Sequence, residues 1–135
     1  MRKTFQIDYE WDIVPIRSDV REMAKEVGFD DLDQARIVQS ISELARNVIQ
    51  HAERGTLTIF KVKEDERVGL RIQVKDLGPG IPDFDQLMRH QSRQIGEASG
   101  LQQVGLLMDE LISIPVELGT CVEATKWVKP SRVVE

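Results

Sequence analysis

The chain reads as an α+β fold in which amphipathic helices pack on one face of a mixed sheet, and three observations predict this. First, Leu70, Ile72 and Val74 alternate with Arg71, Gln73 and Lys75, the period of a half-buried strand. Second, Ile37, Ile41, Leu44, Ala45, Val48 and Ile49 fall on one side of a helix, and Ser40, Glu43, Asn47 and His51 fall on a narrow polar stripe opposite. Third, the strand-like runs gather in the second half of the chain. Helices with one apolar face then have a sheet face to cover.

The elements follow in order. Thr4 to Trp11 alternates Phe5, Ile7, Tyr9 and Trp11 and reads as a strand. Val14 to Val27 reads as a helix stopped by Gly28. The striped helix comes next, with Asp33 as its expected N-cap and Gly55 marking its end. Thr56 to Lys63 and Val68 to Lys75 read as paired strands joined by the charged turn Glu64-Asp65-Glu66-Arg67. A short helix is expected from Phe84 to Arg89, then a polar loop from His90 to Ser99. Gly100 to Leu111 reads as a helix with Leu101, Val104, Leu107, Met108 and Leu111 on one face. Ile112 to Glu117 and Cys121 to Val128 read as a closing hairpin around Leu118-Gly119-Thr120. Residues 1–128 form one expected domain and 129–135 a loose tail.

Composition narrows the function classes. The chain has 135 residues, 41% hydrophobic and 30% charged, enough for one core and a solvated surface. A net charge of −5 argues against a nucleic-acid partner, which selects for basic patches. No apolar run approaches the roughly 20 residues that span a bilayer, and the start lacks an apolar signal core. A single cysteine, Cys121, forms no internal disulfide, and with only two histidines present it argues against a structural zinc site. The expectation is a cytoplasmic protein with no membrane partner.

Two short segments carry the chemistry. Glu43 and Asn47 lie one helical turn apart and share a face. The Ser, Glu, Asn and His of that stripe suit a cleft wall, although an ordinary amphipathic helix would show the same period. Asp76-Leu77-Gly78-Pro79-Gly80 breaks the strand with a carboxylate beside a backbone that a ligand can approach closely. Taken alone, Asp-x-Gly-x-Gly is equally a plain turn. Its weight comes from lying downstream of the Glu-x-x-x-Asn helix with strands between. Together the two segments point to a nucleotide site that also holds a metal ion.

Long stretches extend these motifs: Trp11-Asp12-Ile13-Val14, Asp33-Gln34-Ala35-Arg36-Ile37, Ile41-Ser42-Glu43-Leu44-Ala45-Arg46-Asn47, Asp76 to Asp83, Leu107-Met108-Asp109-Glu110 and Thr125-Lys126-Trp127. On these the chain resembles the GHKL (Bergerat) ATPases. Within them it resembles the small serine/threonine kinases of bacterial partner switching, of the RsbT-type stressosome class. The resemblance implies a two-layer α/β sandwich with a mostly antiparallel sheet. It implies ATP and Mg²⁺ as cofactors, with Asn47 as metal ligand and Glu43 as general base toward a substrate hydroxyl. Asp76 would accept from the adenine amino group, supported by Thr120, while Gly78 and Gly80 let the backbone close over base and sugar. Gly96 and Gly100 would belong to a phosphate lid. Arg46 and His51 line the same helix, His51 either touching phosphate or simply packing. The implied partners are STAS-domain proteins and a PP2C-type phosphatase.

One segment departs from that pattern. The lid of these kinases is close to Gly-Leu-Gly-x-Gly-Leu-Pro-Gly, whereas this chain has Gly96-Glu97-Ala98-Ser99-Gly100-Leu101-Gln102-Gln103. Glu97 adds negative charge where phosphates would lie, and Ala98 resists positive φ. The altered lid favours one alternative to a STAS-directed kinase, a relative that works by partner binding alone. A second is an anti-sigma factor kinase that binds a sigma factor directly, against which the Trp11 to Val14 and Thr125 to Trp127 stretches favour the stressosome type.

Overall fold

In the computed structural model, residues 1–52, 54–76 and 100–130 are described. The helix expected at 84–89, the loop at 90–99, Gly78, Gly80, Gly96 and most of the tail lie outside them. The elements are β1 (Arg2–Ile7), α1 (Ile13–Val27), α2 (Asp31–Ala52), β2 (Gly55–Glu64), β3 (Arg67–Asp76), α3 (Gly100–Leu107), β4 (Glu110–Ile114) and β5 (Thr120–Trp127). The sheet runs β1-β2-β3-β5-β4. Every pairing among the described residues is antiparallel.

Register explains the two layers. Leu57, Val74 and Val122 form one row across the sheet, and Ile59, Ile72 and Ala124 the next. All six are buried. They face Ile16 and Val20 of α1, Ile37, Ile41, Leu44 and Val48 of α2, and Leu101 and Val104 of α3 in one core. The opposite face has no helix among the described residues, and polar side chains cover it. Gln73 Nε2 donates to Glu123 Oε2 at 2.7 Å, and Arg71 Nε donates to Thr125 Oγ1 at 3.0 Å. Trp127 Nε1 donates to Glu110 Oε2 at 2.6 Å, and the Arg67 guanidinium lies 3.9 Å over the Trp127 ring. A one-sided sheet keeps its outer face wet in this way.

Local chemistry sets the boundaries. Gly28, at φ 114°, closes α1 and donates to the Ala24 and Lys25 carbonyls, a left-handed stop that glycine adopts without penalty. Asp65, at φ 54°, forms the tight turn between β2 and β3, a conformation that Asp tolerates.

Four expectations change. The alternation through Tyr9 and Trp11 does not continue the strand. Asp12 Oδ2 accepts the N–H groups of Asp8 and Tyr9, each at 3.0 Å, and turns the chain into a 3-10 helix at Glu10–Asp12. Those two N–H groups hold the Asp12 carboxyl below its ordinary pKa. Tyr9 and Trp11 instead stack on each other at the surface, 4.4 Å apart. The N-cap of α2 is Asp30 and not Asp33, because Asp30 Oδ1 accepts the Asp33 N–H at 2.7 Å. Leu111 belongs to β4, opposite Ala124, and not to α3. The closing hairpin begins at Glu110 and its first strand stops at Ile114. Leu111 still reaches the core because its strand position points to the helix layer, so a helical and a strand reading agree on its burial.

Candidate functional site

The site is built on α2. Glu43 lies midway along it with its side chain 18% exposed. Its Oε1 accepts from Gln39 Nε2 at 3.2 Å and pairs with Arg46 Nη1 at 3.3 Å. These i−4 and i+3 neighbours hold the carboxylate at the helix surface. Its other oxygen meets the first residue of α3: a Cβ added at Gly100 would lie 2.7 Å from Glu43 Oε2. A side chain at position 100 would push the carboxylate from this place. Asn47, half-buried, follows Glu43 by one turn, about 6 Å along the axis. Ser40, expected on the polar stripe, is fully buried and its hydroxyl donates to the Arg36 carbonyl at 2.9 Å. It belongs to the helix packing and not to a cleft wall.

The second half of the site is one end of the sheet. Asp76 is the last residue of β3 and pairs in register with Thr120, the first of β5, and with Gly55, the first of β2. By strand alternation all three positions face the helices, in line with Val74, Val122 and Leu57. Asp76 is half-buried and Thr120 buried. From sequence, Gly55 reads only as a helix stop. A Cβ there would lie 2.5 Å from the Lys75 carbonyl oxygen, 2.9 Å from Val48 Cγ1 and 3.2 Å from Asp76 Cβ. Gly55 therefore lets the end of α2 pack against the strand that carries Asp76. Its place directly opposite Asp76 in the hairpin was the available signal.

A cavity of about 320 Å³ reaches Asp76 and Thr120 from beyond the sheet end, with Arg54, Val116 and Leu118 at its wall. Gln6, Thr56 and Lys75 of the open face also line it, whereas Glu43 and Asn47 do not. It is a flank of the Asp76 end and does not extend to the α2 stripe. His51 lies exposed in the last turn of α2, which is at odds with a packing role. Cys121, one residue from Thr120, is buried, and desolvation raises its thiol pKa. It stays a protonated, unreactive thiol at neutral pH.

Glu43 and Asn47 thus share one helix face, Gly100 lies against the carboxylate, and Asp76 and Thr120 pair at the sheet end. The family model of the histidine kinase-like ATPase domain matches residues 5–126. The chain is 46% identical over 123 residues to the serine/threonine-protein kinase RsbT of Bacillus subtilis, covering 89% of this chain and 92% of that one. It belongs to the histidine kinase-like ATPase family, among the RsbT-type serine/threonine kinases. A crystal structure of the RsbU and RsbW domains of Rv1364c from Mycobacterium tuberculosis superposes with a TM-score of 0.65 at 21% identity. It covers 98% of this chain and 35% of that longer one, and it supports the fold alone.

Proposed function

We propose that this kinase transfers the terminal phosphoryl group of ATP to a serine or threonine hydroxyl of a STAS-domain partner, within a partner-switching pathway in the cytoplasm. The observation that carries this reading is the Glu43 carboxylate. It is largely buried, aligned by Gln39 and Arg46, and turned toward the N-terminus of α3. Among the described residues Arg46 is its charged partner.

The residues fit the groups the family implies. Asn47 offers one amide oxygen on the Glu43 face, which suits Mg²⁺ because that ion takes few protein ligands and keeps phosphate and water oxygens. No cluster of three His, Cys, Asp or Glu side chains able to hold a metal occurs among the described residues, so a cation here would rely on such shared ligation. Mg²⁺-ATP supplies the phosphoryl group and the charge neutralisation. Asp76 would hold the adenine amino group, a bond to a charged acceptor worth about 1.5–3 kcal/mol, and Thr120 would support Asp76 across the register pair. Glu43 would take the proton from the partner's hydroxyl as that oxygen attacks phosphorus. No helix among the described residues is long and apolar enough to cross a membrane.

Incubating the protein with labelled ATP, Mg²⁺ and a purified STAS-domain partner tests the reading. Wild type labels the partner, and Glu43→Gln retains nucleotide and partner binding while transfer drops about 10²–10⁴-fold, the worth of a positioned base. Transfer by the mutant at the wild-type rate refutes the role of Glu43. A second reading, partner binding without turnover, is favoured by Glu97 and Ala98 in the lid sequence. Replacing them with Gln and Gly separates the two, since a functional lid tightens ATP more than adenosine. Release of the kinase to a PP2C-type phosphatase completes the proposed switch and is tested by pull-down with and without the STAS partner.

A further inference from the structure

The helix-facing side of β5 is apolar at Val122 and Ala124, yet the next position on that side is Lys126, whose side chain is 8% exposed. Packing alone would place a hydrophobe there, because burying an ammonium group is costly unless it is partnered. Its partners come from two helices and from the link between α3 and β4. Nζ donates to the carbonyl of Leu107, the last residue of α3, at 2.8 Å. It also lies 3.8 Å from Oδ1 of Asp33, in the first turn of α2, and 3.5 Å from Asp109 Oδ1.

Both anchors are themselves held. Asp33, with its side chain 2% exposed, pairs with Arg36 Nη1 at 2.9 Å and Lys129 Nζ at 3.8 Å. Asp109 accepts the Trp127 N–H at 2.7 Å, and its own N–H donates to the Thr125 carbonyl at 2.9 Å. Lys126 thus joins the start of α2 to the end of α3. The other end of α3, about 12 Å away along an eight-residue helix, is Gly100 against Glu43 Oε2. A short helix touches α2 at both ends, once through a charged clamp and once through the candidate base.

We propose that Lys126 is a positioning residue for phosphotransfer: it sets where α3 lies along α2 and so how much room the start of α3 at Gly100 leaves the Glu43 carboxylate. This deepens the kinase reading and rests on Glu43 as the base. Buried ion pairs contribute little net stability compared with an apolar replacement of similar size, and in this proposal the role of Lys126 is to fix one arrangement of α3 on α2. Asp33 keeps Arg36 and Lys129 when Lys126 is neutralised, so no lone buried charge results. Stability and turnover should therefore respond differently to the loss of this lysine.

The test compares wild type, Lys126→Met, Lys126→Arg, Glu43→Gln and the Glu43→Gln/Lys126→Met double variant. Three quantities are read: amide hydrogen exchange, ATP affinity, and steady-state transfer to the STAS partner. In Lys126→Met, the amides of 100–107 should exchange faster while those of α1 do not. kcat should fall at least about tenfold with ATP affinity within about threefold, the pattern of a displaced group rather than lost binding. Lys126→Arg, which keeps charge and donors, should recover most of the rate. In the Glu43→Gln background Lys126→Met should cost no more than about twofold, because coupled residues are not additive. Unchanged exchange at 100–107 overturns the clamp whatever Glu43→Gln does. An unchanged kcat, or a loss that multiplies fully onto Glu43→Gln, overturns the link to the base. Wild-type transfer by Glu43→Gln removes the base assignment alone. If Lys126→Met fails to fold, Lys126→Gln, which retains a donor for Leu107 without the charge, is read by the same criteria.

Discussion

Gly100→Ala probes the contact between α3 and the candidate base with a single methyl group. The added Cβ would lie 2.7 Å from Glu43 Oε2, about 0.7 Å inside the 3.4 Å at which ordinary contact begins. The atom it meets is the end of a rotatable side chain, so the carboxylate moves and the backbone need not. The stability cost of that motion is small. Gly100 is the first residue of α3, where the interior helix penalty of glycine does not apply, so the variant should be about as stable as wild type. Catalysis should behave differently. Misplacing a reacting group by about 1 Å can cost about 10²-fold, and a shift somewhat smaller than that should lower kcat by about 10- to 100-fold. The assay is steady-state phosphotransfer to a STAS partner beside a urea titration of the same preparation. A rate equal to wild type, with equal stability, would show that the Gly100 contact does not hold the base, and the geometric argument for Glu43 would fail with it.

Further outcomes follow from the same geometry. If Asn47 carries Mg²⁺, Asn47→Ala should weaken ATP binding and abolish its dependence on the ion, so that calorimetry with and without EDTA gives one affinity; a retained Mg²⁺ dependence refutes the ligand. Gly55→Ala should destabilise the fold by about 1–3 kcal/mol through overpacking, because its Cβ meets the Lys75 backbone carbonyl at 2.5 Å and Val48 at 2.9 Å; a urea midpoint equal to wild type removes that claim. The buried Cys121 thiol should react with a disulfide reagent at pH 8 only as fast as the protein unfolds, since burial raises its pKa. Its stabilising contribution is present below the unfolded thiol pKa and is lost as pH rises through the folded one, which chemical denaturation across the alkaline range would detect.

Strand and helix periods make the core legible in the sequence. Leu57, Ile59, Leu70, Ile72 and Val74 lie where alternation puts them, and Ile37, Ile41, Leu44 and Val48 where the helical stripe does. Where periodicity misleads, particular polar groups decide the outcome. Phe5, Ile7, Tyr9 and Trp11 alternate without interruption, yet two N–H bonds to the Asp12 carboxylate end the strand at Ile7. Ser40 shares the polar stripe with Glu43 but is buried with its hydroxyl on the Arg36 carbonyl. Asp33 has the composition of an N-cap, but Asp30 caps the helix and Asp33 meets Lys126, 93 positions away. No local pattern carries a contact of that separation. For the site, Glu43 and Asn47 are readable because one helix turn joins them. The approach of Gly100 to Glu43 and of Gly55 to Val48 depends on how elements distant in sequence pack.

The arrangement divides labour along the helices. Asp76, Thr120 and Gly100 are each the first or last residue of an element, and none has a large apolar side chain committed to the core. Substitutions at such positions can change the site while the buried rows keep the fold. The reverse holds for Ile72, which is fully buried in the middle of β3. Ile72→Ala should cost about 2–5 kcal/mol, a large share of the roughly 5–15 kcal/mol that a domain possesses. Such a variant would lose activity through unfolding. At Gly100 the loss should occur in a protein that remains folded. The midpoint of chemical denaturation, read beside kcat for the two variants, separates these cases. If Gly100→Ala loses rate only in proportion to lost folded protein, the site is not independent of the core and the division is wrong.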